Sequence, residues 1–136
     1  MSTATKRVLL AEDDDEMRSL VRQVLERQGI EVREASSGVA LLSCLVDEGA
    51  FDMVVTDVCM PWMSGTQVAQ MARAAGFDIP MVVMTAFADD SLRKNLGKMT
   101  KIRLLEKPFA MSDLVTHARQ MLGIDHSCKS KPSVMP

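Results

Sequence analysis

Five short apolar runs, each followed by a helix-length stretch with an apolar stripe, confine this chain to alternating strands and helices. The runs occupy residues 8–11, about 30–35, 53–56, 81–84 and 102–105. The runs at 8–11, 53–56 and 81–84 are continuous rather than alternating, which fits parallel strands covered on both faces, while 30–35 and 102–105 carry charged residues. The first intervening stretch carries Met17, Leu20, Val21, Val24 and Leu25 at helical spacing. Asp14 or Asp15 is placed to cap it, and Gly29 to end it. The second carries Leu41, Leu42 and Leu45 ahead of Gly49, and the third Val68, Met71, Ala72 and Ala75 ahead of Gly76. The fourth has Leu92, Leu96 and Met99, interrupted by Gly97, which weakens a helix. The fifth has Leu114, Val115, Ala118, Met121 and Leu122, closed by Gly123. Repeated strand-helix units with right-handed crossovers build a doubly wound α/β sheet, whose ligands bind beyond the carboxyl ends of the strands.

The residues expected at those ends are chemically selective. Glu12 and Asp13 follow the first run, Asp57 the third, Thr85 the fourth, and Lys107 stands just past the fifth. Three carboxylates brought together repel one another unless a cation intervenes. Mg²⁺ takes hard oxygen ligands of this kind. A carboxylate is also a nucleophile toward phosphorus, and phosphoryl transfer needs mainly positioning and charge neutralisation. Lys107 supplies positive charge and Thr85 a hydroxyl donor. Each residue alone has a plainer reading. An acidic pair opening a helix caps it and meets its dipole, and a strand-ending Asp or Thr is a common turn residue. Their joint placement in one crevice carries the functional reading.

Composition narrows the classes. The chain has 136 residues, 47% of them hydrophobic, enough for one domain with one core. A net charge of −2 supplies no basic field for nucleic acid or an anionic membrane. No apolar stretch is long enough to span a bilayer, and residues 1–7 lack a signal-peptide core, so a cytoplasmic setting is expected. Cys44, Cys59 and Cys128 show no metal-ligand spacing and read as reduced thiols. His117 and His126 read as solvated, and the twelve methionines as flexible core filler. The segment 124–136 is polar, ends in Val-Met-Pro, and is expected to be a short mobile tail behind a domain spanning 1–123.

Four segments together resemble the receiver domain of two-component response regulators, over about residues 6–122. They are Val8-Leu9-Leu10-Ala11-Glu12-Asp13-Asp14, the stretch from Val54 through Asp57, Met60-Pro61, Met63 and Gly65, then Met84-Thr85-Ala86, and Lys107-Pro108-Phe109. The resemblance implies a flavodoxin-like (βα)5 fold with a five-stranded parallel sheet in order 2-1-3-4-5. It implies that Asp57 is the phosphoacceptor and that Mg²⁺ is held by Asp13, by Glu12 through water, by Asp57 and by the backbone carbonyl of Cys59. It implies that Thr85 and Lys107 contact the phosphoryl group, and that the Lys107-Pro108 bond is cis. The donor would be a sensor histidine kinase or a histidine phosphotransfer protein.

The resemblance further implies a downstream protein on the face of the fourth helix, fifth strand and fifth helix. Lys94, Asn95, Lys98, Arg103 and Leu104 are the expected exposed residues there, and homodimerisation on phosphorylation is compatible with that face. Leu104 departs from the family, which usually has an aromatic or His three residues before the lysine, so the usual aromatic readout is missing. The stretch 97–101 also departs, and points to an atypical, short or mobile fourth helix. Phe87, two residues past Thr85, is expected to slow loss of the phosphoryl group. Alternatives are a phosphorylation-independent adaptor and the receiver part of a longer regulator such as a transcription factor. A turnover enzyme is disfavoured. Cys59 stands where an aspartate-nucleophile phosphohydrolase has its second acid, and Glu12-Asp13-Asp14-Asp15 is the reverse of a glycine-rich phosphate loop.

Overall fold

The computed structural model describes residues 5–58, 65–74 and 76–124. Five strands alternate with five helices. In chain order they are β1 (Arg7–Ala11), α1 (Asp15–Glu26), β2 (Glu31–Ala35), α2 (Gly38–Glu48), β3 (Met53–Asp57), α3 (Gly65–Ala74), β4 (Met81–Thr85), α4 (Asp90–Gly97), β5 (Ile102–Glu106) and α5 (Met111–Leu122). All pairings are parallel, and the sheet order is β2-β1-β3-β4-β5. The expected flavodoxin-like architecture is therefore the one observed.

The two sheet faces bury separate cores. Val8, Leu10, Val55, Val82 and Met84 point toward α1 and α5, while Leu9, Ala11, Val54 and Met81 point toward α2 and α3. This is the period-two alternation of a strand with both faces covered, so the inner runs 8–11, 53–56 and 81–84 are apolar apart from Thr56. β3 and β4 are buried at every residue, whereas the edge strands β2 and β5 keep exposed charges. Register then sets the site: Ala11 pairs with Thr56, Asp57 with Met84, and Thr85 with Glu106. Glu12, Asp57, Thr85 and Lys107 thus finish at one level along the same sheet edge.

Several local expectations shift. Ile30 does not begin β2, because its N–H donates to the Leu25 carbonyl at the end of α1 (3.3 Å). Val21 and Leu25 centre the buried stripe of α1, leaving Leu20 46% exposed. Val68, Ala69 and Ala72 form the buried face of α3, so Met71 turns outward. Gly97 ends α4 rather than interrupting it, and the helix is short, with eight residues. Lys101, just before β5, takes a left-handed φ of 59° that a side chain seldom adopts. His117 is half-buried rather than solvated, with Nδ1 3.0 Å from the Arg103 guanidinium. Burial first, and then that cation, hold its pKa below the ordinary value. Leu104 is also half-buried, whereas Lys94, Asn95, Lys98 and Arg103 are exposed as expected.

Cys44 is a free, buried thiol. Cys59, Cys128 and His126 lie outside the described residues. Gly123 closes α5 in a left-handed conformation, and the Ile124 N–H returns to the Arg119 carbonyl at 2.9 Å. Ile124, grouped by sequence with the tail, packs against the α1–α5 core; the rest of that segment lies outside the described residues.

The burial pattern makes a direct comparison available. Leu10→Ala, at a fully buried position of β1, should cost about 2–5 kcal/mol of stability. Leu20→Ala, half exposed on α1, should cost less than about 1 kcal/mol. Urea midpoints of the two variants check this, and equal losses would refute the placement of the α1 stripe.

Candidate metal and phosphoryl site

The loop after β1 places its acids by capping. Asp14, not Glu12 or Asp13, caps α1, its Oδ1 accepting from the N–H groups of Glu16 (3.0 Å) and Met17 (3.3 Å). The two preceding acids are thereby left to the crevice. Glu12 is fully buried and fixed at three points. Its Oε2 accepts from the Asp14 N–H (3.1 Å), its Oε1 from Lys107 Nζ (2.9 Å), and its main-chain carbonyl from Arg18 Nη1 (2.7 Å). Asp13 is exposed at the rim.

Asp57 closes β3 and is 6% exposed. Lys107 Nζ donates to its Oδ2 at 3.0 Å, so one ammonium bridges both buried carboxylates. The Lys107-Pro108 bond is cis, as the resemblance implies, and the Lys107 N–H is held by the Thr85 carbonyl at 2.6 Å. Thr85 is buried at the end of β4, with its hydroxyl engaged locally. Oγ1 donates to the Phe87 carbonyl (2.9 Å) and accepts from the Phe87 N–H (3.1 Å). Turning that hydroxyl into the crevice would require breaking this turn. Phe87 itself is 74% exposed.

One carboxylate oxygen from each of Glu12, Asp13 and Asp57 lies within 4.8 Å of the others. Such a hard-oxygen set suits Mg²⁺, which binds through a few carboxylates and retains waters. The Cys59 carbonyl lies outside the described residues. Crowding shows in the electrostatics. Burial, partly offset by the Asp14 N–H and Lys107 and reinforced by Asp57, pushes the Glu12 carboxyl up to about 7. For Lys107, burial disfavours the charge, but hydrogen bonds to Glu12 and Asp57 outweigh it and raise the pKa.

Sequence reasoning placed all four strand-end groups on this edge but missed Arg18. That side chain ties the Glu12 carbonyl to Glu34 on β2 through Nε (2.8 Å) and to Asp15 through Nη2 (2.6 Å). Its Asp15 contact follows ordinary i,i+3 spacing; nothing local in the sequence signals the other two.

A raised Glu12 pKa means that the folded state holds a proton the unfolded chain has released. Glu12 therefore contributes stability that is present below pH 4.5 and lost as pH rises through about 7. In chelator, Glu12→Gln should flatten that loss. Mg²⁺ should raise Tm more at pH 8 than at pH 5.5, where it competes with the Glu12 proton. Asp13→Asn should raise Tm by a few degrees in chelator and abolish most of the Mg²⁺ gain. Thermal scans across pH, with and without Mg²⁺, check each outcome.

Comparison with known proteins agrees with this geometry. The profile of the response regulator receiver domain matches residues 8–119. The chain is 34% identical to the response regulator receiver protein CpdR of Brucella abortus, over 86% of its own length and 97% of that protein's. It is 36% identical to the sensor kinase CckA of Brucella abortus, over 85% of its own length but only 12% of the kinase's. Among solved structures, the response regulator receiver protein from Sinorhizobium medicae is 30% identical, with a TM-score of 0.80 over 90% of this chain and 98% of that one. In the described part, no helix is long and apolar enough to cross a membrane. Fold, strand-end chemistry and relatives converge: the chain belongs to the receiver-domain family of two-component response regulators.

Proposed function

We propose that Asp57 accepts a phosphoryl group from the phosphohistidine of a sensor histidine kinase or a histidine phosphotransfer protein. The observation that carries this reading is the single ammonium of Lys107 bridging the buried carboxylates of Glu12 and Asp57 at 2.9 and 3.0 Å. In the transfer, an Asp57 carboxylate oxygen forms a bond to phosphorus as the phosphorus–nitrogen bond to the donor imidazole breaks. Lys107 holds the nucleophile and shares the charge of the phosphoryl oxygens. Mg²⁺, held by Asp13, Asp57 and Glu12, would supply further charge neutralisation. Thr85 reaches the phosphoryl group by giving up its turn with Phe87.

The domain acts as a switch rather than a turnover enzyme, in the cytoplasm, through protein contacts on the α4–β5–α5 face. With Leu104 half-buried in place of an aromatic, the signal leaves through the Thr85–Phe87 turn and the start of α4. Glu106, the register partner of Thr85, contacts α4 through Arg93 at 2.5 Å and gives that motion a path to the face. The 12% coverage of the CckA kinase keeps a second setting open, as the receiver part of a longer regulator.

Incubation with a small phosphodonor and Mg²⁺ should add one phosphoryl mass to the wild-type chain as an acid-stable, base-labile adduct. Asp57→Ala should abolish it; an adduct persisting in that variant refutes the assignment. Phe87→Glu should speed loss of the phosphoryl group by opening the rim to water, and an unchanged decay rate would remove Phe87 from the account.

A further inference from the structure

The described residues include five large exposed hydrophobics, and three of them, Val39, Val46 and Met71, share one groove between α2 and α3. Leu42 and Phe77 line the same groove, whose volume is about 400 Å³. The helix behind it is unusual. α2 buries Leu41, Cys44 and Leu45 inward, with Leu42 half-buried at the edge of that core, yet presents Val39 and Val46 outward. A helix apolar on both sides is normally covered on both. Exposed patches of this kind mark interaction surfaces more often than chance. The groove uses none of the phosphoryl-site residues.

Charge selects the kind of partner. Phe77 also lines a second hollow, of about 370 Å³, at the amino-terminal end of the sheet. The charged side chains lining the two hollows are Asp47, Asp52 and Asp78, all acidic. Asp78 is paired with Lys101, and Asp52 accepts from the Arg7 main chain. Asp47 is exposed on the groove and makes no ion pair with any described residue. The nearby Arg73 guanidinium is turned onto the carbonyls of Phe77, Ile79 and Thr100; with Lys101, the larger influence, it helps hold the Asp78 carboxyl below its ordinary value, and it makes no ion pair with Asp47. In a two-fold pair the same acidic lining would face itself, with no lining cation between.

We infer that the α2–α3 groove docks an amphipathic helix of another protein, with apolar residues at i, i+4 and i+7 inserted between the helices and Lys or Arg beside Asp47. This is helix-in-groove recognition, in which the apolar anchors give affinity and the rim charge gives selection. It extends beyond the phosphorylation reading and does not depend on Asp57.

The test uses the full chain and two synthetic three-turn helical peptides (about 11 residues). Both carry Leu at i, i+4 and i+7, one flanked by Lys and the other by Glu. The Lys-flanked peptide should saturably shift the amide resonances of Val39, Val46 and Met71, equally in wild type and Asp57→Ala. Val46→Asp, at a position 67% exposed, should weaken binding at least about tenfold without changing the circular dichroism. Asp47→Lys should reverse the preference toward the Glu-flanked peptide. Equal binding of both peptides, shifts confined to α4–β5–α5, or no saturable shift overturns the inference. So does concentration-dependent dimerisation abolished by Val46→Asp, which would make the occupant a second copy. Peptide-free shifts at the groove on joint Lys129→Glu and Lys131→Glu substitution would make it this chain's own C-terminal segment, and would equally overturn it.

Discussion

The ammonium of Lys107, held between the buried carboxylates of Glu12 and Asp57, is the contact on which the rest of this molecule depends. Two acids at that depth and spacing repel each other and lose hydration. A single cation shared by both makes the arrangement tenable, and it joins residues 95 and 50 positions apart along the chain. Asp13 adds a third carboxylate to the two bridged by the Lys107 ammonium. Such a group of oxygens could hold a divalent cation, and a cation there would offset the charge of an anionic phosphoryl group.

The sheet exists to keep those groups at one level. β1, β3 and β4 are apolar throughout because helices cover both faces, and their polar residues are displaced to the ends. Register does the rest, since a slip of one residue would turn every side chain to the opposite face. The capping of α1 by Asp14 is part of the same design. By satisfying the helix terminus itself, Asp14 leaves Glu12 and Asp13 available, and its own N–H helps hold Glu12 in place. Arg18 reinforces the loop from the helix side.

The far side of the molecule carries a different logic. α1 meets solvent with several charged side chains held in ion pairs, among them Arg18–Glu34 and Arg22–Glu26. The α2–α3 face leaves valine and methionine side chains in the open, above a helix whose only charged residues are its last two, Asp47 and Glu48. Burial of apolar area stabilises by roughly 25 cal/mol per Å². An uncovered stripe forgoes that stabilisation and is most simply a surface kept for a partner. Signal input at the sheet edge and docking on α2–α3 would then be physically separate.

Much of this was legible in the chain itself. Continuous apolar runs and helical stripes imply covered parallel strands, because local periodicity reports which faces are buried. The polar residues closing the runs imply one crevice, because topology puts all strand ends on one edge. What the sequence left open was decided by contacts between distant segments. Whether Asp14 or Asp15 caps α1 depended on backbone geometry at the turn. Leu20 and Met71 look like stripe members but lie outward, because the buried arc of a helix is fixed by what it packs against. His117 looks solvated from its neighbours in the chain, yet Arg103 approaches it from β5. The depth of Glu12, its raised pKa and the engagement of the Thr85 hydroxyl are likewise tertiary facts. Sequence determines which groups reach the edge; only three-dimensional packing sets their distances and dielectric, and electrostatic energies depend on both.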